Sequence, residues 1–169
     1  EMVVTGAWWD LVDDLSGNLL ARLLERHPAE MKPQLRRWAA GGDLWLRRAA
    51  MLVQRSVDDK TFDAVLLYET ILPSIGNGKF AGEFFIRKGI GWALRERSYA
   101  APEEVKAFCQ EYAAQLSPLT VREALKEEAS ALEEGKADVL GLYMVTALQG
   151  QGELGEAPLE TYYTTFLVG

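Results

Sequence analysis

Apolar residues recur three and four positions apart along most of this chain, the spacing that lines one face of an α-helix. The segments "SGNLLARLLERH", "AEMKPQLRRWAA", "DLWLRRAAMLVQR" and "DKTFDAVLLYETIL" carry it. So do "GEFFIRKGIGWALRE", "APEEVKAFCQEYAAQL" and "PLTVREALKEEASALEE". No convincing pair of alternating strands precedes residue 150. Helix starts are expected at Ser16, at Asp43, at Asp58 or Asp59, and at Ser117 ahead of Pro118, because a short polar side chain there can accept a free N–H of the first turn. Glycine-rich breaks such as "AAGGD" and "PSIGNGK" separate the periodic runs. The expected fold class is all-α.

Two of these runs repeat. "LWLRRAAMLVQR" from Leu44 aligns with "FFIRKGIGWALR" from Phe84 at a fixed offset of 40 residues. Trp45 then meets Phe85, Arg47 meets Arg87, Arg48 meets Lys88 and Arg55 meets Arg95. "AWWDLVDDLSGNLLARLL" is the equivalent helix one unit earlier, with Trp9 under Trp45. A helix-pair period near 40 is that of HEAT-like solenoids, in which stacked units bury a continuous core. The expected architecture is therefore a curved stack of antiparallel helix pairs over residues 1–130, followed by a C-terminal extension, 131–169, of unassigned role. In that extension "ADVLGLYMVTALQ" reads as one more helix, "GQGELGEAP" as a break and "LETYYTTFLVG" as strand-like. Stacking would set Arg48 and Lys88 in a basic row with Trp92 one turn beyond Lys88, while Trp9 and Asp13 share a face one turn apart.

Composition narrows the function classes. A length of 169 residues, 49% hydrophobic, with a mean hydropathy of -0.08, describes a globular chain able to bury a core. The single cysteine, Cys109, excludes an intramolecular disulfide, fits a reducing intracellular setting and reads as a buried structural thiol. The single histidine, His27, excludes a His-based metal site or a Ser-His-Asp triad and reads as a helix end before Pro28. No metal and no cofactor are expected. No run reaches the length of a membrane-spanning helix. The start "EMVVTGAWW" has no basic leader, and the chain is expected to begin partway through a longer protein. A net charge of -7 argues at first against nucleic acid, but the charge is unevenly spread. Residues 31–100 carry 12 basic against 7 acidic side chains, and residues 101–169 carry 4 against 12. Binding to phosphates follows the local field, so the middle can still meet DNA, although the same cations can simply solvate helix faces.

The stretch "GAWWDLVDD" packs two tryptophans and three aspartates together. By itself it has two readings. Trp9, like Trp92, can be a core aromatic, with Asp13, Asp10 and Asp14 as carboxylates at a helix start, favoured there by the helix dipole. Alternatively the stretch is a small acid site walled by aromatic faces.

"AWWDLVD", "LWLRRAA", "EFFIRKGIGWALRE" and "LSPLTVREALK", in this order and at these spacings, resemble the AlkD-type DNA alkylation repair glycosylases over roughly residues 1–126. The resemblance implies a HEAT-like solenoid and an enzyme of base excision repair. Such an enzyme releases N3- or N7-alkylated purines from duplex DNA. It implies that Asp13 is the active-site carboxylate, that Trp9 and Trp92 are the groove tryptophans, and that Arg48 is the arginine fixing a phosphate. Arg47, Arg87, Lys88 and Arg95 are then further phosphate contacts or plain surface charges. The chemistry is coherent: an alkylated purine is already cationic and leaves readily, so the site must stabilise the oxocarbenium-like sugar and hold a water. Indole faces favour such a cation through their quadrupoles. The chain departs from the family in having Gly6-Ala7 where a basic residue is usual, and the family normally has helices ahead of "WWD". The alternative reading is a non-catalytic HEAT-like module that binds DNA or protein.

Overall fold

Proline and capping side chains set most of the helix boundaries in this chain. The computed structural model describes residues 1–58 and 60–126, and the regular elements among them are all helical. Helix α1 covers Met2–Gly6. An unbroken run then joins α2 (Trp9–Leu15), a π-helical turn (Ser16–Leu20) and α3 (Ala21–Arg26). His27 ends α3, and Pro28 opens α4 (Pro28–Ala40), where a missing N–H costs nothing. Helix α5 (Leu44–Leu52) tightens into a 3₁₀ turn (Val53–Ser56), and α6 (Ala64–Ile71) into another (Leu72–Ser74). Helix α7 (Phe84–Ala100) is followed by α8 (Pro102–Glu111) and α9 (Pro118–Ala124), each again with proline in its first turn.

Asp43 and Ser117 cap as their positions predict, accepting the N–H groups of Leu46 at 2.9 Å and Thr120 at 3.1 Å. Two expected starts differ. Ser16 caps nothing: its hydroxyl donates back to the Val12 carbonyl at 2.5 Å, inside a helix that continues through it. Asp58 closes a turn, accepting the Lys60 N–H at 2.9 Å, while α6 begins later under a cap from Asp63. Gln54 fixes that later start by bonding both ways with the Asp63 backbone, at 2.9 and 2.8 Å. Asp59 and residues 127–169 lie outside the described residues, and with them the helix and strand expected after residue 130.

The described residues up to Lys126 form one compact unit, Glu1–Lys126. Helices α2, α5 and α7, aligned by the internal repeat, pack in that order, and α9 lies against α7. On the other side α4 packs on α5 and α6, and Tyr68 of α6 stacks on Phe108 of α8 at 4.5 Å. Helix α5 belongs to two cores. Ala49 and Ala50, with Val53 of the turn that follows, join Val12, Leu24 and Leu35, while Met51 and Leu52 join Ile71, Ile90 and Leu94. Every residue from Arg47 to Leu52 is buried, so both arginines of the central helix enter the interior and must find partners there.

Asp63 also pairs with Lys32 of α4 at 2.7 Å, and this hydrogen bond outweighs burial in holding Asp63 below the usual carboxylate range. A carboxyl with a depressed folded pKa contributes stability above its unfolded pKa and loses it as pH falls through the folded one. Asp63→Asn keeps a capping side chain but loses the charge. It should therefore be less stable than the parent at neutral pH by about 0.5–1 kcal/mol. The gap should close once pH has fallen through the folded pKa of Asp63, as urea unfolding at neutral and acid pH would show.

Candidate active site

Helices α2, α5, α7 and α9 meet around a cleft of about 460 Å³. Trp9 and Asp13 line it from α2, one turn apart on a shared face, and Arg48 lines it from α5. Phe84, Phe85, Lys88, Trp92 and Arg95 come from α7, and Glu123 from α9. Trp9, Asp13, Arg48, Lys88 and Trp92 were all expected at the site, and one cleft holds them together.

The centre of the cleft wall is an ion pair. Arg48 Nε donates to Asp13 Oδ1 at 2.8 Å and Nη2 donates to Oδ2 at 2.7 Å, a bidentate clamp on the carboxylate. Arg48 Nη1 also donates to the Phe85 carbonyl. Only 6% of Asp13 and 4% of Arg48 are exposed. A phosphate contact was expected of Arg48; in this structure its fork is taken by Asp13, so it orients the carboxylate. Gly89 makes room for the clamp, since a Cβ there would come within 3.0 Å of Arg48 Nη1 and 3.3 Å of Met51 Sδ.

Arg47, the adjacent residue and an expected phosphate contact or surface charge, lies elsewhere. It is 4% exposed and lines no part of the cleft. It donates from Nε to Gly41 O at 2.7 Å, from Nη2 to Ala40 O at 3.1 Å, and from Nη1 to Pro73 O at 2.8 Å and Ser74 Oγ at 3.1 Å. The guanidinium thus satisfies carbonyls at the end of α4 and after α6, and is spent on the fold. Arg87 likewise turns away from the cleft and donates to Ala81 O at 3.0 Å. On a helix, neighbours point about 100° apart, so Lys88 enters the cleft where Arg87 cannot.

The aromatic walls are asymmetric. Trp9 is 43% exposed. Trp92 carries the Arg55 guanidinium over its ring, 3.8 Å from the centroid, and donates from Nε1 to Glu96 at 2.9 Å. Phe85 sits among Phe84, Trp8 and Trp45, with centroids 5.5, 6.1 and 5.3 Å away. Arg55, Phe85 and Glu123 were not singled out for the site from the sequence. Glu123 lies inside the quoted "LSPLTVREALK", and Arg55 is the repeat partner of Arg95.

Glu123 takes Lys88 Nζ at 3.0 Å and Arg95 Nη1 at 3.4 Å. The Lys88 hydrogen bond, aided by the charges of Lys88 and Arg95 and opposed by burial, holds Glu123 below the ordinary carboxylate range. Arg48, Lys88 and Arg95 against Asp13 and Glu123 leave the cleft one formal positive charge. Among the described residues no group of three or more His, Cys, Asp or Glu could hold a metal ion, and no helix is long and apolar enough to cross a membrane. Cys109 is buried among apolar side chains, which raises its thiol pKa. Removing one member of a buried pair strands the other charge, so Asp13→Asn and Arg48→Met should each lose about 3–5 kcal/mol in chemical denaturation. A loss below about 1 kcal/mol would mean that water reaches the pair freely.

A family model described as DNA alkylation repair enzyme matches residues 1–127. A solved structure described as a predicted DNA alkylation repair enzyme from Enterococcus faecalis superposes with a TM-score of 0.63 at 31% identity. The superposition covers 74% of this chain and 55% of that one, so this chain spans about half the length of its solved relative. A shorter match, 44% identical over 50 residues, joins 30% of this chain to 6% of Nudix hydrolase 3 of Arabidopsis thaliana. The matched family span includes every residue that lines the cleft, and the chain belongs to the DNA alkylation repair enzyme family.

Proposed function

We propose that the chain is the catalytic part of a DNA glycosylase that releases cationic N3- or N7-alkylated purines from duplex DNA. The observation that carries this reading is the cleft itself, in which a carboxylate held from behind by Arg48 faces space bounded by Trp9 and Trp92. Residues 1–130 would form the HEAT-like repair domain, and 131–169 an extension to it.

An alkylated purine carries its positive charge in the ground state, so departure of the base needs little proton donation. The demand falls on the sugar, whose anomeric carbon becomes cationic as the bond breaks. Each Asp13 oxygen accepts one bond from Arg48 and has a further lone pair. Asp13 can therefore stabilise the developing charge and align a water for attack. Trp9 adds a cation-favouring aromatic face. Trp92 contributes less, since Arg55 already occupies the field of its ring. With Arg48 committed to Asp13, Lys88 and Arg95 are the cleft cations that can reach a phosphate. The cleft is lined by few groups able to read base edges, so recognition would rest on backbone and lesion charge and not on sequence.

A second reading is favoured by one observation: Asp13 is nearly buried and doubly bonded, as a purely structural ion-pair member would be. That reading makes the chain a binding module without chemistry. The two separate on a duplex containing 7-methylguanine, assayed for abasic sites. The parent chain should form them, and Asp13→Asn should be slower by at least about a hundredfold. The double variant Asp13→Asn with Arg48→Met leaves no charge stranded and should regain much of the lost stability while staying inactive. Abasic sites formed at the parental rate by the folded double variant would leave only the structural reading.

A further inference from the structure

Lys88, Trp92 and Arg95 follow one another on α7 at four- and three-residue spacing and all line the cleft. Between the two cations sits Gly91. A Cβ at that position would meet the Glu123 Cβ at 2.5 Å and the Thr120 carbonyl at 2.9 Å, so α9 rests directly on the backbone of α7. One turn before Glu123, the Thr120 hydroxyl donates to the Arg87 carbonyl at 3.1 Å. The start of α9 is fixed by the Ser117 cap and Pro118. Glu123 therefore does not reach in as a loose surface side chain. The fold seats it over the gap in α7, with a cation one turn to either side and 17% of its side chain exposed.

Asp13 has its own cation in Arg48, so the two remaining cations of the cleft share the single carboxylate of Glu123. We propose that Glu123 is a specificity-determining residue of this site, one that sets the preference for a cationic lesion over ordinary duplex. This rests on the alkylpurine reading above. In the DNA-free protein Glu123 occupies donors of Lys88 and Arg95 that would otherwise go to phosphates. An ordinary duplex must compete with the carboxylate for those cations, and it is held weakly. A duplex with an alkylated purine brings a positive charge into the cleft, where the same carboxylate attracts it. Glu123 thus penalises the common polyanion and favours the rare cation within it. A carboxylate that merely braced α9 against α7 would do neither.

Salt-dependent binding separates these roles, using one duplex of ordinary bases and the same duplex with a single 7-methylguanine. Glu123→Gln keeps the shape of the side chain and removes the charge. It should tighten binding to the ordinary duplex about tenfold at low salt and steepen the log–log salt slope by about one to two units, as freed cations take up phosphates. The ratio of lesion to ordinary affinity should fall with it. Glu123→Asp, which keeps the charge, should hold the parental slope, and Glu123→Ala should move the slope in the same direction as Glu123→Gln. A damaged fold would weaken binding and could not steepen its salt dependence. If the parent binds duplex and both neutral variants bind ordinary duplex no tighter, with unchanged slopes, the role of Glu123 is overturned and the glycosylase reading stands. If neither the parent nor the variants bind either duplex even at low salt, both fall together.

Discussion

The ion pair between Asp13 and Arg48 is the constraint around which this molecule is arranged. It joins α2 to α5 across 35 positions of sequence, and through the Phe85 carbonyl it also binds α7. Taking two charges out of water costs several kcal/mol per ion, and only good geometry with further hydrogen bonds offsets it. The surrounding residues supply that geometry. Asp13 is presented from a helix that runs on without a break into the next turn, and Arg48 from a helix buried along most of its length. Gly89 leaves the space that the guanidinium needs. An apolar pair would hold three helices together as well or better, so stability alone does not account for a carboxylate in this position.

Helix α7 shows how closely fold and site are bound together. Its sequence "RKGIGWALR" places two glycines two residues apart, and each serves a different charge. Gly89 admits Arg48, the partner of Asp13, and Gly91 admits Glu123, the partner of Lys88 and Arg95. Neither glycine is there for an unusual backbone angle; both lie within the helix, where glycine costs about 1 kcal/mol against alanine. That cost is borne twice so that two charged side chains can approach the helix surface. The aromatic residues follow a similar logic. Phe85 supplies a carbonyl to Arg48 and a ring to Trp8 and Trp45, so the wall of the cleft and its electrostatic centre are fixed by one residue.

Periodicity made the helices legible because the rule behind it is local: a face that must be buried needs apolar residues three and four apart. The caps at Asp43 and Ser117 were legible for the same reason. Ser16 was not, since its hydroxyl has a choice between a later N–H and an earlier carbonyl, and the helix already formed before it decides the matter. Asp58 gave way to Asp63 because Gln54, nine positions away from Asp63, holds its backbone. Trp9, Asp13, Arg48 and Trp92 could be picked out by family pattern, but the pattern does not say which charges meet. Arg47 and Arg48 look alike in a sequence. Their fates differ because adjacent side chains leave a helix in different directions, one toward the carbonyls of two chain turns and the other toward a carboxylate. Glu123 stayed hidden in a charge-rich stretch, since nothing local marks that its cations lie about 30 residues earlier.

Charge distribution bears on how such a site could face DNA at all. Residues 1–126 hold 17 basic and 17 acidic side chains, and the whole net charge of -7 falls in residues 127–169. A unit with no net charge exerts little long-range pull on a polyanion, and salt screens what remains beyond roughly 8–10 Å. Recognition must then come from groups at contact distance. Within the cleft those groups are already paired with one another, which leaves a single formal positive charge among five ionised side chains. For such a site each phosphate contact competes with a carboxylate that already draws on the same cation. The net gain per contact is small, and a difference of one charge on a base is correspondingly large. On the proposed reading, a cleft whose charges are internally compensated would register a cationic purine against a background of neutral ones, where a strongly basic groove would bind both.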